Sequence, residues 1–187
     1  MSKRTTVTLN NGKSLFDIEI LANDDPVSRF DCPIGEYNDY LTQEALRSQS
    51  DHIALTWLLR DKADKGIAAY MSLIADAIKL SVNEKELHSL DYPFKTVPAI
   101  KIAKLAVSAA HQEKYKGVGT FMIETALAMA QLCNKTLFAC RFITVDADVE
   151  HNESVLTFYK KNGFLINEEP FNKHRKNISM RRDIYLQ

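Results

Sequence analysis

The residues best placed to do chemistry in this sequence lie between Lys101 and Asn134. There an apolar run, KIAKLAV, enters a glycine-containing turn, KYKGVGT, which opens directly into a helical pattern, FMIETALAMAQL. Gly117 and Gly119 permit a tight turn and leave no Cβ between the backbone and a ligand. The first amides of the following helix have no intrahelical acceptors and stand at the positive end of its dipole, so they suit phosphate. A GxG pair taken alone can also be only a tight turn, so the surrounding elements have to decide.

Those elements are legible from periodicity. Val118, Phe121, Met122, Thr125, Met129 and Leu132 recur at the three-and-four spacing of one buried helix face, with Asn134 closing the helix. Strands are expected at 16–21, 52–59, 67–80, 100–107 and 137–145, with FLIN and NISMRRDIYL as two more near the C-terminus. Residues 34–50 and about 154–161 read as helices, the second stopped by Gly163. RDKADKG is a polar hairpin connection that pairs the second and third strands antiparallel, and 81–98, with two prolines, reads as a surface excursion. The nearly continuous apolar run LFACRFITV reads as a strand buried on both faces. Strand, crossover helix and strand over 100–145 form a βαβ unit, which puts the ligand turn at the carboxyl end of the fourth strand. The expected fold is α/β, a mixed sheet flanked by helices in a single domain over 1–187.

Composition narrows the class. Hydrophobic residues make up 45% and charged residues 26% of 187 positions, which is ordinary for a soluble globular protein. Lys plus Arg and Asp plus Glu are 24 each, so no global field draws in nucleic acid, although base is concentrated locally at Lys173, His174, Arg175 and Lys176. Cys32, Cys133 and Cys140 have no paired metal spacing and no charged-then-apolar leader precedes them, so no metal and a reducing cytoplasm are expected. No apolar stretch reaches the roughly 20 residues of a spanning helix, so no membrane role is expected.

KYKGVGT followed by NESVLTFYKKNGF, in this order and at this distance, resembles the cofactor-binding and C-terminal motifs of the GNAT superfamily of acetyl-CoA-dependent N-acetyltransferases. SRFDCPIGEYNDYLTQEALR is similar to the N-terminal segment of a branch that includes tRNA-acetylating toxins, so nearly the whole chain is covered. The resemblance implies a sheet splayed between its fourth and fifth strands, with acetyl-pantetheine in the gap. Leu105, Ala106 and Val107 would then offer backbone hydrogen bonds to pantetheine, and Gly117, Val118, Gly119 and Thr120 would offer amides to pyrophosphate. Lys114 stands where the family motif usually has glutamine or arginine, and it still supplies a cation for phosphate. The turn from Val107 to Gly117 looks about two residues longer than the family's usual form, which leaves the contacting amides open by a position or two. Asn152 matches the asparagine that meets the pantetheine arm, and as a residue it could also cap the helix near Ser154. Tyr159 matches the tyrosine beside the sulfur; as a residue it could be a core aromatic.

By the same resemblance, a neutral amine attacks the thioester carbonyl and Tyr159 protonates the leaving thiolate, a phenol with a reference pKa of about 10 being matched to a thiol. Lys101 and Lys104 occupy the strand where some relatives carry an acid, leaving Asp146 and His111 as candidate bases. Three functions are consistent with these features: an acetyltransferase of a small amine or peptide, a toxin-like acetyltransferase of aminoacyl-tRNA with an antitoxin partner, and an acetyl-CoA sensor without turnover. A homodimer is common among relatives.

Overall fold

The computed structural model describes residues 15–150, 154–168 and 176–185. Its strands are β1 (Phe16–Ile20), β2 (Leu55–Asp61), β3 (Ile67–Ile78), β4 (Val97–Val107), β5 (Phe142–Asp148), β6 (Leu165–Ile166) and β7 (Asn177–Asp183). The helices are α1 (Gly35–Asp39), α2 (Ala45–Ser50), α3 (Val82–Leu87), α4 (Ala109–Lys114), α5 (Val118–Thr136) and α6 (Val155–Lys161), with a π-helical turn, Tyr40–Glu44, joining α1 to α2. The strands form a seven-stranded mixed sheet in the order β1-β2-β3-β4-β5-β7-β6. Two compact units divide the chain, the first comprising 1–74 and 103–122, the second 75–102 and 123–187.

In the first unit, β1 and β2 pair antiparallel, as do β2 and β3 across the polar hairpin. The apolar residues that alternate on these strands close on the helical segment, so Leu21, Leu41, Leu58, Tyr70 and Ala106 share one core. Tyr70 is fully buried, and its hydroxyl donates to the Tyr37 carbonyl at 2.8 Å, satisfying the one polar atom of that ring.

In the second unit, β4 and β5 run parallel through Ala99↔Phe142 to Ile102↔Val145, as the crossover helix requires. Phe142, Ile143, Thr144 and Val145 are all buried, as expected for a strand covered on both faces. That strand is displaced from the expected 137–145. α5 continues to Thr136, Leu137 and Phe138 are 77% and 56% exposed, and the Asn134 side chain clamps the Cys140 backbone at 2.6 and 2.7 Å before β5 begins. Leu132, expected on the buried face of α5, is also exposed, and Met122, Ile123, Ala126 and Ala130 carry that face.

The 81–98 excursion contains α3, nucleated by a capping box in which the Ser81 hydroxyl accepts from the Glu84 amide while the Glu84 carboxylate accepts from the Ser81 amide. Glu84 then reaches inward to Arg181, and both side chains are almost fully buried. Arg181 Nε donates to His88 Nε2 at 3.1 Å, and His88 Nδ1 meets Asp183 Oδ2 at 2.8 Å. Arg141 closes the far end of this chain on the same Asp183 oxygen at 2.7 Å. Since Nε2 accepts from a guanidinium, His88 is neutral with its proton on Nδ1.

Burial holds the His88 pKa below its ordinary 6.5, despite the opposing Asp183 carboxylate. The unfolded chain therefore takes up a proton that the folded chain refuses as pH falls below about 6.5, and stability falls with it. Urea unfolding between pH 7.5 and 5 should show this loss, and His88→Gln should flatten the pH dependence over that interval. Arg181→Met, which strands Glu84 without its cation, should cost about 3–5 kcal/mol in the same assay at neutral pH.

Candidate active site

The carboxyl end of β4 lies in the first unit, where Ala106 is buried and Leu105 and Val107 are half-buried. The β4–β5 ladder ends at Ile102, although β4 itself continues to Val107. The Ser108 amide donates to Ala68 O at 2.9 Å and the Ala109 amide to Asp31 O at 2.9 Å, fixing the point at which the chain leaves the sheet.

The turn after Val107 contains the short helix α4. Tyr115 then leaves helical geometry, and Gly117 takes a φ of +83°, a conformation in which a Cβ is strained. Nothing lies within 4 Å of where that Cβ would stand, so the requirement for glycine is a backbone one. The first intrahelical bond of α5 runs from the Phe121 amide to Gly117 O at 2.9 Å. Val118, Gly119 and Thr120 thus present the amides that precede it, at the positive end of a 19-residue helix.

The turn is pinned from beneath. Tyr115 packs edge-on against Phe16 with ring centroids 5.1 Å apart, and its hydroxyl donates to Asp61 Oδ2 at 2.8 Å. Lys114 Nζ lies 2.7 Å from that oxygen and 3.2 Å from Asp64 Oδ2. Burial alone would raise the Asp61 pKa, but Lys114, the Ala63 amide and Tyr115 outweigh it and bring it to about 2. Hydrogen bonds to Asp61 and Tyr115 in turn raise the Lys114 pKa. The charge expected to meet phosphate therefore already has two carboxylate partners.

His111, a candidate base, is buried on α4 with Nδ1 3.1 Å from Ser108 Oγ, and Nε2 faces Asp61 and Asp64. Lys104 rests over the rings of Tyr37 and Tyr40, 4.9 and 5.7 Å from their centroids. Sequence reasoning passed over Asp61 and Asp64 because they sit in a segment that reads as a solvated hairpin. The available signal was their spacing, which places both carboxylates on one turn.

In the second unit, Tyr159 is buried on α6, its ring edge-on to Phe158 and Phe164 at 5.2 and 5.3 Å. Gly163, with φ +78°, ends α6, and the Phe164 amide returns to the Tyr159 carbonyl at 3.0 Å. This C-cap fixes the last turn and with it the ring. Asp146, the other candidate base, is paired with Lys101 at 2.6 Å. Asn152 and residues 173–175 of the basic cluster lie outside the described residues. No helix among the described residues is long and apolar enough to cross a membrane.

No protein-family model and no curated protein matches the chain. Solved structures do. AtaT complexed with acetyl-methionyl-tRNAfMet superposes with a TM-score of 0.72 at 21% identity, covering 90% of this chain and 94% of that one. AtaTR bound with AcCoA gives 0.67 at 22%, covering 90% and 93%. A tyrosine-to-phenylalanine mutant of KacT gives 0.72 at 16%, covering 90% and 95%. The chain has the GNAT fold that AtaT and KacT share.

Proposed function

We propose that this protein is an acetyl-CoA-dependent N-acetyltransferase that acts on a primary amine. The observation that carries this reading is the glycine turn at the start of α5, set in a fold whose solved examples include one bound with AcCoA. Pyrophosphate is held by the amides of Gly117, Val118, Gly119 and Thr120. The pantetheine arm follows the backbone of Leu105, Ala106 and Val107, past the point where the β5 ladder ends, and Asn152 meets it. The whole chain, 1–187, works as one catalytic domain in a reducing cytoplasm, on its own or as a homodimer.

In the reaction, the amine lone pair forms the N–C bond at the thioester carbonyl, and charge develops on the carbonyl oxygen. A backbone amide at Val107 stabilises that charge; the next amide, of Ser108, is already bonded to Ala68. As the C–S bond breaks, Tyr159 gives its proton to the departing thiolate, and the proton shed by the acylated nitrogen passes to solvent, from which the phenol is restored.

Two features favour an aminoacyl-tRNA as the acceptor and an antitoxin as the partner. AtaT is solved with acetyl-methionyl-tRNAfMet and with the C-terminus of AtaR. Neither candidate base is free to serve, because Asp146 is paired with Lys101 and His111 is buried with its Nδ1 against Ser108 Oγ. An α-amine, with a reference pKa of about 7.7–8.0 against about 10.4 for lysine, is the acceptor that least needs a base at neutral pH.

Labelled acetyl should pass from acetyl-CoA into charged tRNA, with a rate that falls steeply as salt rises. Label in polyamines, amino acids or peptides instead would redirect the acceptor, and binding of acetyl-CoA with no transfer anywhere would make the protein a sensor. Tyr159→Phe should lower turnover by about 10²- to 10⁴-fold while acetyl-CoA still binds. Gly117→Ala should act on binding, weakening acetyl-CoA affinity about tenfold in calorimetry through the roughly 1–2 kcal/mol cost of a left-handed alanine.

A further inference from the structure

We propose that Asp61, Asp64 and His111 form a binding site for a divalent cation of the zinc class. Their ligand atoms, one from each side chain, all lie within 4.8 Å of one another. His111 Nε2 is 3.7 Å from Asp61 Oδ2 and 3.5 Å from Asp64 Oδ2. Those separations are too long for hydrogen bonds. They match the edge of a tetrahedron, about 3.4 Å for metal–ligand bonds of about 2.1 Å.

The independent sign of a ligand is His111 itself. The residue is 8% exposed, and its Nε2 is the buried side-chain atom without a hydrogen-bond partner among the described residues. Leaving such an atom unpaired is costly, so an arrangement that aims it at two carboxylates calls for a cation between them. Ser108 Oγ, 3.1 Å from Nδ1, orients the ring in the way that an outer partner orients a metal-bound imidazole. Gly66 leaves the necessary room, because a Cβ there would stand 2.9 Å from Asp64 Oδ1 and 3.2 Å from His111 Cε1.

Charge and access agree. Two carboxylates and a neutral imidazole balance a dication, and Asp64 is half-exposed beside a cavity of about 510 Å³ that His111 also lines. Lys114, whose ammonium bridges the same two oxygens, is the built-in competitor. Removing it should therefore strengthen the site.

Chelator-treated full-length protein titrated with Co²⁺ should develop tetrahedral visible absorption at one equivalent, and Zn²⁺ should abolish it. His111→Gln and Asp64→Asn should each weaken Co²⁺ binding about a hundredfold or more, beyond the tenfold to hundredfold typical of losing an outer partner. Lys114→Gln should tighten it. Asp64 is half-exposed, so Asp64→Asn keeps the test valid if His111→Gln fails to fold, and circular dichroism would confirm that the variant is folded. Absence of the band in the wild type, or Co²⁺ binding unchanged in Asp64→Asn, would overturn the assignment.

Discussion

Asp61 is a carboxylate at the end of β2 with a side chain only 1% exposed, and a buried charge of that kind has to be met by donors. The donors come from three places: the Ala63 amide of the hairpin, Lys114 at the end of α4 and the Tyr115 hydroxyl in the glycine turn. Meeting this one demand fixes where α4 ends and where the chain enters the turn. Gly117 then reverses direction, and α5 begins with its first amides presented. The ligand turn is thus set by an electrostatic requirement beneath it as much as by its own glycines.

The same physics appears in the second unit with a different consequence. Glu84, Arg181, His88 and Asp183 are buried together in a continuous run of hydrogen bonds from α3 to β7. Each member is satisfied by the next, which offsets the desolvation that would otherwise exclude charges from a core. The network ties a short helix with little apolar surface of its own to β7, while β5 is held by Phe142, Ile143 and Val145 in an apolar interior.

Sequence reasoning reached the strand–turn–helix unit, the antiparallel hairpin, the parallel crossover and the end of α6 at Gly163, because each depends on signals within a few residues. It misplaced the start of β5 by treating apolarity as strand character, when Leu137 and Phe138 belong to an exposed exit from α5. It missed α3 because mixed charge masked a capping box that Ser81 and Glu84 spell out. Lys114 was read as a phosphate cation from its place in a motif, without knowledge of the carboxylates that claim it.

What the sequence by itself determined was local: the glycine that must take a positive φ, the amphipathic start of α5 and the periodicities that separate strands from helices. These follow from backbone sterics and residue spacing, which act over one or two turns of chain. The tertiary structure decided which charges meet. Lys114 lies 53 positions from Asp61, and Arg181 lies 97 from Glu84. Such partners are chosen by strand register and by the need to pair every ion that folding removes from water, and neither is written in the neighbourhood of the residues concerned.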